Sequence, residues 1–280
     1  MRRFVFLIVT VSLLMLSCSR NKATLPADVP ADTVATVPPD TAEEDTLELL
    51  VTDTPMPKAA DELFDDFIFN FSANKNLQLE RISFPLPVTR NGRTERVGKT
   101  AWKTERFFLR QEFYTVLFDS ESQMALMNDT SVSKAVVEKI YFNTGAVIQY
   151  TFNRMRGAWM LSSIKTDPIA SNRNASFLEF YHHFVTDSLF QSESLNETVQ
   201  FTGPDPDDDF SQMEGMITAD TWPAFAPELP EKMIYNIVYG DPPPPSNKKI
   251  FMMRGIANGF EMMMTFRFQD GRWLLTKLNT

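Results

Sequence analysis

Two stretches of this chain repeat one another without a gap. Residues 134–166 and 248–280 align at a constant offset of 114, and Lys134/Lys248, Gly145/Gly259, Thr151/Thr265, Phe152/Phe266, Gly157/Gly271, Trp159/Trp273, Leu161/Leu275 and Thr166/Thr280 coincide. Upstream, Phe64, Phe67 and Phe71 find counterparts in Phe177, Phe180 and Phe184. The chain is therefore read as one domain of roughly 110 residues carried twice, a length that closes an ordinary core. With 43% hydrophobic residues, including 24 Phe and 15 Met, each copy has the side chains to build one.

Each copy opens with an amphipathic helix. Phe64, Phe67, Ile68 and Phe71 recur at the helical spacing, as do Phe177, Phe180, Tyr181 and Phe184. Irregular segments follow, with short helices expected over residues 102–108 and 224–231. Strands are expected over 112–118 and 233–239, which are rich in β-branched and aromatic residues. The matched tail reads as a three-strand meander. Asn258-Gly259 and Asp270-Gly271 are two-residue hairpin signals because both central residues need positive φ, and Thr144-Gly145 and Arg156-Gly157 are their counterparts. Between the turns, Phe260, Met262, Met264, Phe266 and Phe268 alternate with Glu261, Met263, Thr265 and Arg267, which predicts one buried and one wet face. In the first copy Ala146, Ile148, Tyr150 and Phe152 point inward. The fold class is α+β: two tandem cone-shaped rolls, residues 58–168 and 169–280, each with an N-terminal helix and a curved antiparallel sheet. If the copies pair, the outward residues Met263, Met160, Leu274 and Phe69 form the contact between them.

This arrangement resembles the SnoaL-like, or nuclear transport factor 2-like, superfamily. More narrowly it resembles a family of tandem-domain lipoproteins of unknown function from Bacteroides-type bacteria. The run from Gln78 through Ile82 and Phe84 to Leu86, and the ends Arg156-Gly157-Ala158-Trp159 and Gly271-Arg272-Trp273, carry the likeness over residues 58–280. The narrow family implies no activity. The superfamily implies a fold that hosts enzymes, small-ligand binders and interaction modules alike.

The N-terminus carries its own signal. Arg2 and Arg3 precede an apolar run from residue 4 to 16, too short to span a bilayer but suited to secretion. The segment Met15-Leu16-Ser17-Cys18 resembles a bacterial lipoprotein signal, with Met15 where that pattern usually has Leu. The expectation is a signal peptide over 1–17 and a lipid on Cys18, which ties the chain to a bilayer without spanning it. Cys18 is the one cysteine of the sequence, so the folded body has no disulfide and no thiolate site. Residues 19–57 hold six prolines, eight acids, two bases and no aromatic residue. Such composition does not offset chain entropy and reads as a disordered tether, reaching about 35 Å as a coil. The absence of acids directly after Cys18 favours the periplasmic face over the cell surface.

Catalytic chemistry is hard to find. Enzymes of the superfamily place an Asp, Glu or His inside the cone, where burial raises a carboxyl pKa. Here the inward strand positions are apolar or tyrosine, and Asp65, Asp66 and Glu179 lie off the Phe stripe by helical period. Glu112 and Glu138 are the remaining candidates, read as solvated charges at strand ends. His182 and His183 diverge by about 100° on a helix, cannot chelate one ion together without a third partner, and read as surface or interdomain residues. No Ser-His-Asp signature, phosphate loop or zinc spacing is present. The run Asp205-Pro206-Asp207-Asp208-Asp209 lacks the Gly and Glu of a calcium loop and reads as a solvated acidic segment. Neither metal nor cofactor is expected.

Charge is divided between the copies. Residues 58–168 carry 15 bases and 13 acids, residues 169–280 carry 8 and 15. Arg90, Arg93, Arg96, Lys99, Lys103 and Arg106 form a basic stretch, answered in the other copy by Asp205, Asp207, Asp208 and Asp209. These are candidate partner patches, for another protein or for self-association; an acidic chain outside the cytoplasm does not call for nucleic acid. The reading is a membrane-tethered periplasmic lipoprotein acting as a non-catalytic binding or scaffolding module. One alternative is a small apolar ligand held in the cone by Tyr150, Trp159, Met262, Met264 and Trp273; another is an isomerase or hydrolase of the SnoaL type.

Overall fold

The computed structural model describes residues 56–108, 113–205, 207–256 and 258–280, which belong to one compact unit. The expected signal peptide, Cys18, the tether up to residue 55 and Glu112 lie outside the described residues.

Helices α1 (Phe64–Ala73) and α2 (Lys75–Glu80) open the first half, α3 (Ala175–Thr186) and α4 (Ser188–Glu193) the second. The Phe stripes form the buried faces of α1 and α3, as the 3.6-residue period requires. Each second helix is capped from the joint before it: the Asn74 side chain accepts from Leu77 N, and that of Asp187 from Leu189 N and Phe190 N. A glutamine then locks each helix pair to a tryptophan. Gln78 donates to the Phe71 carbonyl at 2.9 Å and accepts from Trp102 Nε1 at 3.1 Å. Gln191 does the same with the Phe184 carbonyl at 3.1 Å and Trp222 Nε1 at 2.9 Å. The likeness between the two halves thus extends to positions that the strand alignment does not reach.

These locks also explain two missing helices. Residues 102–107 carry no regular structure, because the Gln78 side chain takes both the Glu105 N–H and its carbonyl, at 2.9 and 2.7 Å. In the other half Trp222–Ala224 make a single 3₁₀ turn, and Pro227 and Pro230 remove the N–H groups a longer helix would need.

The strands are β1 (Leu86–Arg90), β2 (Arg93–Val97), β3 (Phe113–Phe118), β4 (Lys134–Tyr141), β5 (Ala146–Met155), β6 (Ala158–Pro168), β7 (Leu195–Asp205), β8 (Asp208–Ile217), β9 (Met233–Tyr239), β10 (Lys248–Gly255), β11 (Glu261–Gln269) and β12 (Arg272–Asn279). They build two six-stranded sheets of an α+β fold, ordered β2-β1-β6-β5-β4-β9 and β3-β10-β11-β12-β7-β8. Each sheet is larger than the meander alone, because hairpins β1–β2 and β7–β8 occupy stretches that read as irregular. Each hairpin joins through one parallel pairing, β1 on β6 and β7 on β12, so the sheets are not purely antiparallel. The β1–β2 turn is Asn91-Gly92, with φ of 49° and 73°, a two-residue signal as clear as those in the tail. Arg156-Gly157 and Asp270-Gly271 have positive φ at both positions, as expected. At Asn258-Gly259 only the glycine does; Asn258 Oδ1 instead accepts from Phe260 N at 3.1 Å in a longer loop.

The halves exchange a strand. β3 leaves the first half to pair with β10, and β9 leaves the second to pair with β4. The two strands meet: Thr115 Oγ1 donates to the Tyr235 carbonyl, and Leu117 N to Asn236 Oδ1 at 2.8 Å. Both serve both cores. Tyr114, Val116 and Phe118 of β3, and Tyr235, Ile237 and Tyr239 of β9, enter the core beneath α1; Leu117 and Ile234 enter that beneath α3. The Phe69 ring lies 5.4 Å from both Phe108 and Tyr114, which belong to its own half, while Met263 packs against the first core and so joins the halves. Likewise His182 stacks on Phe142 at 5.2 Å. The β11 alternation holds for Met262, Met264 and Phe266 but fails at its ends, where Phe260 and Phe268 are 43% and 39% exposed. Phe260 precedes the strand, and a register shift at Thr265/Phe266 re-aims the side chains beyond it.

Candidate functional site

Apolar and aromatic side chains pack the interiors of the two rolls. Tyr150 and Trp159 are buried in the first core, Met262, Met264 and Trp273 in the second. Tyr150 meets the Phe107 ring edge-on at 4.7 Å and donates to Glu105 Oε2 at 2.6 Å. The other Glu105 oxygen holds Lys139, whose ammonium lies 5.0, 5.5 and 5.8 Å from the rings of Phe107, Tyr150 and Tyr235. Burial, reinforced by the Glu105 charge, pushes the Tyr150 hydroxyl far above the ordinary tyrosine value.

Two acids are placed differently from their sequence reading. Asp65 faces inward: Tyr239 Oη donates to Oδ1 at 2.5 Å, Tyr114 Oη to Oδ2 at 3.1 Å, and Arg254 stands 3.9 Å away. Burial raises its carboxyl above the ordinary value, while the two tyrosines and Arg254 pull the other way. Helical period alone does not reveal this, because Tyr239 arrives on the exchanged strand. Glu138 is not at a strand end either. It sits inside β4, paired opposite Asn236 of β9, and is buried. Among the described residues no group of three or more Asp, Glu, His or Cys is placed to hold a metal ion.

The clearest difference between the halves is at the two tryptophans closing the matched tails. In the first half Trp159 is fully buried. The Arg154 guanidinium lies 4.8 Å from its ring and donates to the Asp61 and Glu62 carbonyls at 2.6 and 2.5 Å. The Asp61 carboxylate takes two bonds from Arg81, at 2.9 and 2.8 Å, and the Trp159 N–H at 3.2 Å. Backbone ahead of α1 is thereby fastened over the tryptophan.

In the second half every member of that lock is replaced. Asn174, Ser194 and Phe268 stand where the first half has Asp61, Arg81 and Arg154, and Ser176 stands for Leu63. Asn174 turns to Lys249, accepting from Nζ at 2.6 Å. Lys249 also pairs with Asp119, which holds Arg173 at 2.9 Å. Burial opposes ionisation of Asp119, but the Lys249 and Arg173 partners outweigh it and keep the carboxyl below its usual value. Trp273 is left beside two adjoining cavities of about 280 and 370 Å³, both bordered by Ser176 and Phe268. The larger has a floor of Phe180, Phe190 and Trp273 and a rim of His183, Glu179, Glu193 and Arg272. Trp273 Nε1 donates to Ser176 Oγ at 3.2 Å, whereas Trp159 Nε1 has no partner because Leu63 offers none. Of the five residues expected to line a cone, Trp273 borders this cleft. Aligning Arg154 with Phe268 signals the opening; the burial of Asp65 has no such signal.

The basic patch spans a hairpin and the segment after it, and the acidic one lies at the tip of a hairpin. Arg90 and Arg93 face one another across β1–β2, Arg96 lies on β2, Lys99 opens the turn Lys99–Ala101, and Lys103 and Arg106 come next; all six are exposed. Asp205 ends β7, Asp207 is in the turn, and Asp208 and Asp209 begin β8. β2 and β8 are edge strands of different sheets.

Comparison with known proteins places this geometry. Residues 43–280 match the family described as Domain of unknown function (DUF4348). Among solved structures, the chain is similar to an NTF2-like protein from Bacteroides fragilis, at 41% identity and a TM-score of 0.72, over 80% of this chain and 98% of that one. A search of curated proteins returned no match.

Proposed function

The chain belongs to the DUF4348 family of NTF2-like proteins, and on that premise we propose a non-catalytic binding module, held at the periplasmic face of a bacterial membrane by a lipid on Cys18. The observation that carries the binding role is where open volume lies. The interiors are occupied by aromatic side chains, and Asp65, Glu105 and Lys139, which reach the first of them, are bonded to other protein groups. The cavities border the outside of the rolls, beside Trp273. The tether then supplies reach, and the oppositely charged hairpins supply surfaces for a partner. Intact-mass analysis of protein taken from its host membrane is expected to show an acylated Cys18, with Cys18→Ala shifting the protein to the soluble fraction. An unmodified cysteine, or a variant that stays with the membrane, sinks the anchoring.

A second reading rests on the open corner: a small apolar or aromatic ligand against Phe180, Phe190 and Trp273. 1-Anilinonaphthalene-8-sulfonate is expected to bind the folded protein and to lose at least tenfold in affinity in Phe268→Arg, which restores the residue of the closed corner. Equal binding by both proteins refutes it.

A further inference from the structure

A separate cavity lies on the face of the first sheet turned away from α1. Four residues stand opposite one another across β9, β4, β5 and β6: Asn236, Glu138, Gln149 and Lys165. The second sheet has the same row across β3, β10, β11 and β12, composed of Val116, Met252, Met263 and Asn279. There the apolar members pack into the first core. In the first sheet the row is polar, and Glu138, Gln149 and Lys165 border a cavity of about 310 Å³.

Glu138 is 2% exposed. Gln149 Nε2 and Asn172 Nδ2 donate to its Oε1 at 2.8 and 2.9 Å, and Asn236 Nδ2 to its Oε2 at 2.7 Å. All three partners are neutral, and among the described residues no cation pairs with it. The cations that line the cavity are committed to other acids: Lys134 to Asp241 at 2.6 Å, Lys165 to Asp167 at 2.7 Å and Arg173 to Asp119 at 2.9 Å. A buried carboxylate without a counter-charge is costly, and amides offset only part of that cost. In the sister row the chain uses methionine at the same position, so the fold itself does not demand an acid there. Val136, Val147 and Val238 supply apolar wall beside the charge.

We propose that this cavity binds a small organic cation bearing a primary ammonium, with Glu138 as its counter-charge and the three valines receiving its methylenes. The volume suits a ligand at the small end of the usual range of roughly 300–1,000 Å³. The site shares only Arg173 with the cleft beside Trp273 and does not depend on it.

The test is calorimetric titration of the detergent-solubilised full chain with putrescine at low ionic strength and pH 7.5. Wild-type protein is expected to bind with sub-millimolar affinity and to ignore butyrate. Glu138→Gln, which keeps shape and removes charge, is expected to weaken binding at least tenfold. Val136→Phe, which fills the cavity without touching the acid, is expected to abolish binding while the unfolding midpoint stays within a few degrees of wild type. Wild-type protein that takes up no putrescine overturns the proposal, as does a folded Glu138→Gln or Val136→Phe variant that binds as tightly as wild type.

Discussion

Trp159 and Trp273 occupy equivalent places in the two halves, on the same strand after the same two-residue turn, and their surroundings are opposite. Around Trp159 a cation stacks on the ring and two arginines fasten the chain ahead of α1. Around Trp273 the charges have moved to Lys249, Asp119 and Arg173, and the ring borders open space. The backbone is common to both, so the difference is made by side chains at Asp61/Asn174, Arg81/Ser194 and Arg154/Phe268. A packed fold tolerates such exchanges at its margins because they alter what covers the core and not the core itself.

The largest effect tests whether the second corner depends on its relocated charges. Asp119→Ala leaves Lys249 buried with only the Asn174 oxygen, and is expected to cost about 3–5 kcal/mol by urea unfolding. Adding Lys249→Met should recover most of that loss; no recovery means the pair is not the cause. The pH dependence comes from the lowered carboxyl. Stability from Asp119 is present above the ordinary value of 3.8 and is lost as pH falls through its lower folded value. Acid unfolding of the double variant should therefore be less steep.

A smaller effect sharpens the contrast directly. Arg154→Ala removes the stacked cation and its carbonyl bonds, and is expected to cost about 1–3 kcal/mol and to expose residues 58–62 to protease. Its counterpart Phe268→Ala, already part-exposed, should cost under about 1 kcal/mol. Equal losses would mean that the two corners are closed alike. The smallest effect concerns Asp65. Burial raises its folded pKa, so its contribution is greatest below 3.8 and is lost as pH rises through the folded value. Asp65→Asn should accordingly gain up to about 1 kcal/mol at pH 7 and little at pH 3.5; a loss at pH 7 would show that the tyrosine bonds to the carboxylate outweigh its burial.

Much of the molecule was legible in order along the chain. The Phe stripes of α1 and α3, the strand at Met233–Tyr239, and the turns at Arg156-Gly157 and Asp270-Gly271 come from local period and from the sterics of positive φ. The open corner was legible in principle, since the aligned copies show Arg154 becoming Phe268. The acids were not. Asp65 and Glu138 are solvated by every local criterion, yet Glu138 is buried and Asp65 part-buried, each bonded to a partner more than 90 residues away, Asn236 and Tyr239.

By itself the sequence determined the repeated stretches, the helices of the Phe stripes, the strands of the matched tails and which of their faces seek burial, because those properties reside in neighbouring residues. Tertiary structure alone decided that β3 and β9 change places. Backbone hydrogen bonding does not distinguish one strand from another, and both strands carry side chains able to enter either core. That exchange brings Tyr239 to Asp65 and Asn236 to Glu138 and completes the cavity beside Glu138, whereas the cleft beside Trp273 is lined by the second half alone.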